Sequence, residues 1–174
     1  MDDVAADDPA PVEDLARYQQ AGRAWVAEES GRVVAYLVLE VLGDAAHVEQ
    51  VSVDPRYARR RIGARLIGTA AQWARGHGLR ELTLTTFEDV PWNAPYYRRL
   101  GFEALDDAEQ SADIRQVRDR ERARGLDRWL RVAMRRRLDP AGNERRLVGW
   151  LADRERPAPP RPDGAREGRV SPRR

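Results

Sequence analysis

Residues 51–65, Val51-Ser52-Val53-Asp54-Pro55-Arg56-Tyr57-Ala58-Arg59-Arg60-Arg61-Ile62-Gly63-Ala64-Arg65, change period halfway along. Val51 to Val53 reads as the end of a strand closed by Asp54-Pro55. From Arg61 onward, Ile62, Leu66, Ala70, Trp73 and Ala74 fall at offsets of 0, 4, 8, 11 and 12. That spacing predicts one face of a helix running to about Arg75 and stopped by Gly76-His77-Gly78. A helix start carries unpaired N–H groups and the positive end of the helix dipole, so it attracts anions. Gly63 removes a side chain where a phosphate would approach the backbone. Arg59, Arg60, Arg61 and Arg65 add charge and bidentate donors. The stretch is a candidate diphosphate cradle, and a solvated arginine-rich helix start is the plainer alternative. It is not a Walker loop, because no Gly-Lys-Ser/Thr follows, and it lacks the three-glycine dinucleotide fingerprint.

Upstream, Val12–Ala21 reads as a short helix with Leu15 and Tyr18 on one side, ended by Gly22. Strands follow at Ala24–Glu28, Arg32–Val41 and Ala46–Val53, separated by turns at Glu29-Ser30-Gly31 and Gly43-Asp44. The middle strand is apolar on both faces and should be an inner one. Downstream, Glu81–Phe87 alternates like a strand, Pro91–Leu100 reads as a short helix ended by Gly101, and Phe102–Leu105 as a brief strand. Asp113–Arg124 reads as a polar, arginine-rich helix and Arg128–Leu138 as a final strand. The predicted fold class is mixed α/β, with a mostly antiparallel central sheet flanked by helices. Residues 1–11 are expected to be a flexible lead-in, 12–138 the folded domain, and 139–174 a disordered Arg/Pro-rich tail in which Glu144–Asp153 holds a turn or two of amphipathic helix.

With 174 residues the chain suits one domain and a tail. It has no cysteine, which excludes disulfides, zinc–thiolate sites, iron–sulfur clusters and a cysteine nucleophile. His47 and His77 are the only histidines, so no metal site is expected. No apolar run approaches the roughly 20 residues of a membrane span. The acidic opening Met1-Asp2-Asp3-Val4 is unlike a signal peptide, so a cytoplasmic location and no membrane partner are expected. Every one of the 31 basic residues is arginine, as codon bias in a GC-rich genome would produce. Residues 1–110 hold 12 arginines against 19 acidic residues, whereas 111–174 hold 19 against 10. The basic rear raises nucleic acid as a partner. The acidic front, and a tail without interleaved aromatics, argue against it.

The loop and helix start resemble the coenzyme A signature of the GNAT superfamily of N-acetyltransferases, Arg/Gln-x-x-Gly-x-Gly/Ala, which here reads Ala58-Arg59-Arg60-Arg61-Ile62-Gly63. Ala58 stands where the family has Arg or Gln, and Arg61 where it has the first Gly. A second block, Pro91-Trp92-Asn93-Ala94-Pro95-Tyr96-Tyr97-Arg98-Arg99-Leu100-Gly101-Phe102, is similar to the family segment ending Tyr-x-x-x-Gly-Phe. There Tyr97 matches the family tyrosine, and Asn93 lies closer to it than the family's asparagine does. The resemblance covers residues 12–138. The family places a strand and a helix ahead of Val12, where this chain has only acidic, proline-containing residues, so the first strand and helix are expected to be missing.

The resemblance implies the acyl-CoA N-acyltransferase fold, acetyl-CoA as cosubstrate, no metal, and a small-molecule or peptide amine as acceptor. It also leaves a homodimer open. In the family the strand before the signature bulges and splays from the next, so that the pantetheine arm pairs with open backbone like an added strand. Val51, Ser52 and Val53 would supply that backbone, with an N–H near Val51 polarising the thioester carbonyl. The slip of apolar parity between Val48 and Val51 agrees with a bulge. Arg59–Arg65, including Ile62, Gly63 and Ala64, would hold the diphosphate, and Asn93 is a further cofactor-binding candidate. Tyr97 is the candidate acid for the departing thiolate, against a packed core tyrosine as the alternative. Glu49 is the candidate base, acting through water, with His47 and Glu40 as runners-up.

Trp73 reads as a core residue of the long helix, Trp25 and Trp129 as packing residues in strands, and Trp92 as packing or an acceptor-pocket wall. His77 reads as a helix-end residue and Arg135-Arg136-Arg137 as a solvated strand end. The leading functional expectation is acetyl transfer to a primary amine by direct attack in a ternary complex. A non-catalytic coenzyme-A-binding module of the same fold is the alternative.

Overall fold

In the computed structural model, which describes residues 12–139, the elements run α1 (Val12–Gln20), β1 (Ala24–Glu29), β2 (Arg32–Leu42), β3 (Ala45–Val53), α2 (Ile62–Gly76), β4 (Glu81–Phe87), α3 (Ala94–Arg99), β5 (Glu103–Leu105), α4 (Ala112–Ala123) and β6 (Arg131–Arg137). The strands form one sheet in the order β1-β2-β3-β4-β6-β5. Neighbours are antiparallel except β3 and β4, which are parallel. This is the mixed, mostly antiparallel architecture that the sequence predicts. The expectations for residues 1–11 and 140–174, the missing leading strand and the Glu144–Asp153 turn among them, fall outside the described residues.

Strand alternation assigns each helix to a face. Leu82 and Leu84 of β4 and Met134 of β6 join the larger core, together with Ile62, Leu66, Ile67, Ala70, Ala71 and Ala74 of α2 and with Ala94, Leu100 and Phe102 around α3. Thr83 and Thr85 of β4 and Ala133 of β6 point the other way. Ala133 packs with Leu105 and with Ile114 of α4, against Leu42. So α2 and α3 cover one face and α4 the other. β2 is buried on both faces, with Val34, Ala35, Leu37, Val38 and Leu39 all inside, as expected of an inner strand.

α4 has few apolar anchors. Ser111 caps it by accepting from the Ile114 N–H at 3.2 Å, and only Ile114 and Val117 are buried. What holds the helix down is a charged network. Glu121 accepts from Arg131 at 2.7 and 3.2 Å and from Arg118 at 2.7 Å, and the Thr85 hydroxyl also donates to it. Arg131 stacks over Phe87 at 4.6 Å. Burial alone would lift the Glu121 pKa, but the bonds from Arg131 and Thr85, the Arg131 charge and the Arg118 bond outweigh it and hold the carboxyl below its ordinary value. The contribution of Glu121 to stability is therefore present above its unfolded pKa and lost as pH falls through the lower folded one. The Arg131 side chain is only 9% exposed, so Glu121→Ala strands a buried guanidinium. Denaturant titration at neutral pH should show a loss of about 3–5 kcal/mol, and the variant should lose less further stability on acidification than the parent. A neutral-pH loss within experimental error would remove the network from the account of α4.

Four sequence expectations are corrected. β6 begins at Arg131 rather than Arg128, because Gly125 (φ 74°) and a 3-10 turn at Leu126–Arg128 carry the chain in. Trp129 therefore lies outside the strand, edge-on to Phe87 and beneath the Arg128 guanidinium at 4.5 Å. α3 starts at Ala94 rather than Pro91, since the Asn93 N–H closes a turn onto the Val90 carbonyl. Arg135-Arg136-Arg137 is not a solvated end. β6 lies between β4 and β5, Arg136 is buried, and Arg135 pairs with Glu109 at 3.1 Å and Glu81 at 3.8 Å. Trp73 is half-buried rather than core, packed between Trp25 and a stacked His77, whose Nδ1 lies 2.8 Å from the Trp73 carbonyl at the end of α2.

Candidate active site

The parallel pairing of β3 with β4 covers only Ala45–His47 against Glu81–Thr83. Beyond it each strand stays paired on its outer side, β3 to β2 as far as Val53 and β4 to β6 as far as Phe87. The two inner edges therefore diverge, and their backbone groups face an open crevice. The register of β3 against β2 jumps here: Val38 pairs with Gln50 and Leu39 with Val48, leaving Glu49 as the extra residue of a bulge. Val51, Ser52 and Val53 follow it, all half-buried along the crevice.

At the open end the chain reaches α2. Arg59 and Arg61 both adopt left-handed backbone, with φ of 63° and 59°, so Arg61 takes the conformation that glycine adopts without strain. The first intrahelical bond runs from the Arg65 N–H to the Arg61 carbonyl, and Arg61 gives no side-chain cap. The N–H groups of Ile62, Gly63 and Ala64 thus have no acceptor within the helix. The side chains of Ile62 and Ala64 are buried, so these residues offer a ligand only their backbone. Arg59 and Arg65 are exposed beside this turn. Arg60 is already engaged: it bonds both Glu29 carboxylate oxygens at 3.0 Å and lies over the Tyr57 ring. The turn fits an anion, through amides first and arginines second.

Gly63 has a second neighbour that sequence reasoning missed. A Cβ there would lie 3.1 Å from the Tyr96 hydroxyl oxygen and 3.7 Å from Val53. Tyr96 therefore stands across the first turn of α2, where the reading of Gly63 as space for phosphate alone did not place it. Tyr97 packs edge-on to Tyr96 and Phe102, against the core that contains α2. Burial first, and then the Tyr96 hydroxyl, push the Tyr97 pKa up to about 12, so the phenol keeps its proton throughout the neutral range. Asn93 precedes α3 without a side-chain capping bond.

Glu49 lies toward the opposite face, near Arg120 of α4, Arg124 at its C-terminal cap and Glu40 of β2. Loss of water raises its carboxyl pKa, the two arginines oppose the rise, and Glu121 and Glu40 reinforce it. Glu40 is held by Arg23 at 2.8 Å. His47 is fully buried where the crevice closes, with Nδ1 3.0 Å from the Thr83 hydroxyl. Burial pushes its pKa down to about 4, which makes it a neutral core histidine. Trp92 is exposed. Tyr97 thus lies half-buried on the α2–α3 face, and Glu49 lies exposed toward the α4 face. Among the described residues, no three His, Asp or Glu side chains are placed to hold a metal, and no helix is long and apolar enough to cross a membrane.

Residues 2–102 match the acetyltransferase (GNAT) family. The chain belongs to that family. The fold agrees with solved structures of GNAT acetyltransferases. N-acetylglutamate synthase from Neisseria gonorrhoeae, in complex with coenzyme A and N-acetyl-glutamate, aligns at a TM-score of 0.59 and 17% identity over 75% of this chain and 28% of that one. A GNAT-family acetyltransferase from Staphylococcus aureus Mu50 aligns at 0.58 and 16% identity over 74% and 76%. The ribosomal-protein-S18-alanine N-acetyltransferase of Escherichia coli aligns at 0.55 and 19% identity over 79% and 83%. At these identities the likeness is one of fold, and this chain spans well under half of the gonococcal synthase.

Proposed function

We propose that this GNAT protein transfers the acetyl group of acetyl-CoA to a primary amine by direct attack in a ternary complex. The observation that carries the reading is the crevice between β3 and β4, open past His47 and Thr83, bulged at Glu49 and ending at the uncapped start of α2. Acetyl-CoA would supply an activated acetyl thioester. The amides of Ile62, Gly63 and Ala64, with Arg59, Arg61 and Arg65 beside them, would hold its diphosphate. The open edge at Val51, Ser52 and Val53 would pair with the amide-bearing arm. Asn93 would stand at the entrance to α3 beside it.

Glu49 takes a proton from the ammonium through water, and Tyr97 donates one as the carbon–sulfur bond breaks and the amide bond forms. No covalent enzyme intermediate is required, in keeping with a crevice that offers no cysteine. Thiol release with acetyl-CoA over a broad panel of amines tests the reading. Calorimetric binding of coenzyme A without release on any amine would instead favour a binding module. The raised pKa of Glu49 predicts a kcat/KM that falls, as pH drops, around a midpoint above that of an ordinary glutamate, because the base must be ionised. Glu49→Gln should lower kcat/KM at neutral pH by about a hundredfold and abolish that acid limb. An unchanged limb would assign it to another group.

A further inference from the structure

On the α4 face, a cavity of about 490 Å³ is lined by Glu40 and Leu42 of β2 and by Gln116, Asp119 and Arg120 of α4. Most charges around it are already matched. Glu40 is paired with Arg23 at 2.8 Å, Asp119 with Arg122 at 2.6 Å, and Glu121 with Arg131 and Arg118. Three charges are left over. Arg120 lines the cavity. Outside its lining are Glu49 on the bulge and Arg124, which caps the end of α4 one turn after Arg120. Both arginines are near enough to act on the Glu49 carboxyl. Neither arginine makes a side-chain hydrogen bond or salt bridge among the described residues, and both are exposed. Two guanidinium groups against one carboxylate repel a plain diamine and suit a ligand that brings both signs.

We propose that this cavity selects an amine that also carries a carboxylate, an amino acid in the simplest case, with its amine toward Glu49 and its carboxylate against Arg120 and Arg124. The inference rests on the acetyltransferase reading of the crevice and adds the class of acceptor to it. Arg120 and Arg124 are specificity residues here, and Arg120 presents a planar fork matched to a carboxylate. Leu42 supplies an apolar wall for the side chain, and Gln116 a neutral polar one.

The full chain would be assayed for thiol release with L-amino acids, each paired with its decarboxylated amine: ornithine with putrescine, tyrosine with tyramine, histidine with histamine. At least one amino acid should exceed its amine by about tenfold or more in kcat/KM. In the Arg120→Gln/Arg124→Gln double variant that preference should collapse while calorimetric affinity for coenzyme A is unchanged. Both residues are exposed, and a melting curve checks that the variant folds. Amines that match or exceed their amino acids throughout, or a preference that survives the double substitution, would overturn the inference and leave acetyl transfer standing. A preference for O-phosphoethanolamine over every amino acid would overturn the carboxylate assignment. With no thiol release at all, calorimetric binding of an amino acid that is lost in the double variant would keep the site and remove the enzyme, whereas no such binding would overturn both.

Discussion

Tyr97→Phe is expected to slow acetyl transfer by about a hundredfold to ten-thousandfold, the range for loss of a positioned general acid, and to leave coenzyme A affinity unchanged. The ring is retained, so its edge-on contacts with Tyr96 and Phe102 survive and folding is not at issue. Only the hydroxyl is removed. With a pKa pushed up to about 12 it is fully protonated at neutral pH, and it is a weak acid unless the negative charge it meets is itself poorly solvated. The substitution should therefore act on kcat rather than on KM, and most strongly for acceptors whose release of thiolate is slow. Steady-state kinetics with calorimetry on the same preparation separates the two terms. Equal turnover in the variant would return Tyr97 to the role of a packed aromatic.

Gly63→Glu should weaken coenzyme A binding by about a hundredfold or more. The substitution brings a carboxylate to the first turn of α2, where uncapped amides would otherwise meet phosphate. It also brings a Cβ to 3.1 Å from the Tyr96 hydroxyl oxygen, a crowding unrelated to ligand charge. Gly63→Ala with Tyr96 intact separates the causes, because it keeps the added carbon and its approach to the Tyr96 hydroxyl and removes only the new charge. Gly63→Ala should bind coenzyme A far more tightly than Gly63→Glu. Calorimetric affinity retained by Gly63→Glu would argue against the cradle. An equal loss in Gly63→Ala would make crowding, not charge, the cause.

The parts of this arrangement legible in the sequence are those set by local periodicity. The apolar face of α2 follows from residues three and four apart, and all of its predicted aliphatic positions are buried. The bulge was foreshadowed by the slip between Val48 and Val51, because a side-chain period of two cannot absorb an extra residue without changing parity. What escaped depends on contacts between distant segments. The sequence shows Asp113–Arg124 as a polar, arginine-rich helix and nothing more. Its place on the sheet comes from Glu121 meeting Thr85 and Arg131 from two other strands, and two buried apolar residues left no periodic trace of that. The unmatched charges of Arg120 and Arg124 are visible only once their neighbours' partners are known. Tyr96 escaped as well: successive helical residues diverge, and that divergence sends Tyr96 to Gly63 while Tyr97 meets Phe102. Aromatic residues suit strands, but the 3-10 turn ahead of Trp129 overrides that preference and keeps it outside β6.

The central claim is that coenzyme A lies in the crevice between β3 and β4 with its diphosphate on the amides that open α2. Backbone amide resonances of the isotope-labelled full chain, followed through a coenzyme A titration, test it most directly. Saturable shifts concentrated at Ile62–Arg65 and Val51–Val53, with little change at β1 or β5, are the predicted result. Unmoved resonances at Ile62–Arg65 under saturating coenzyme A would contradict it.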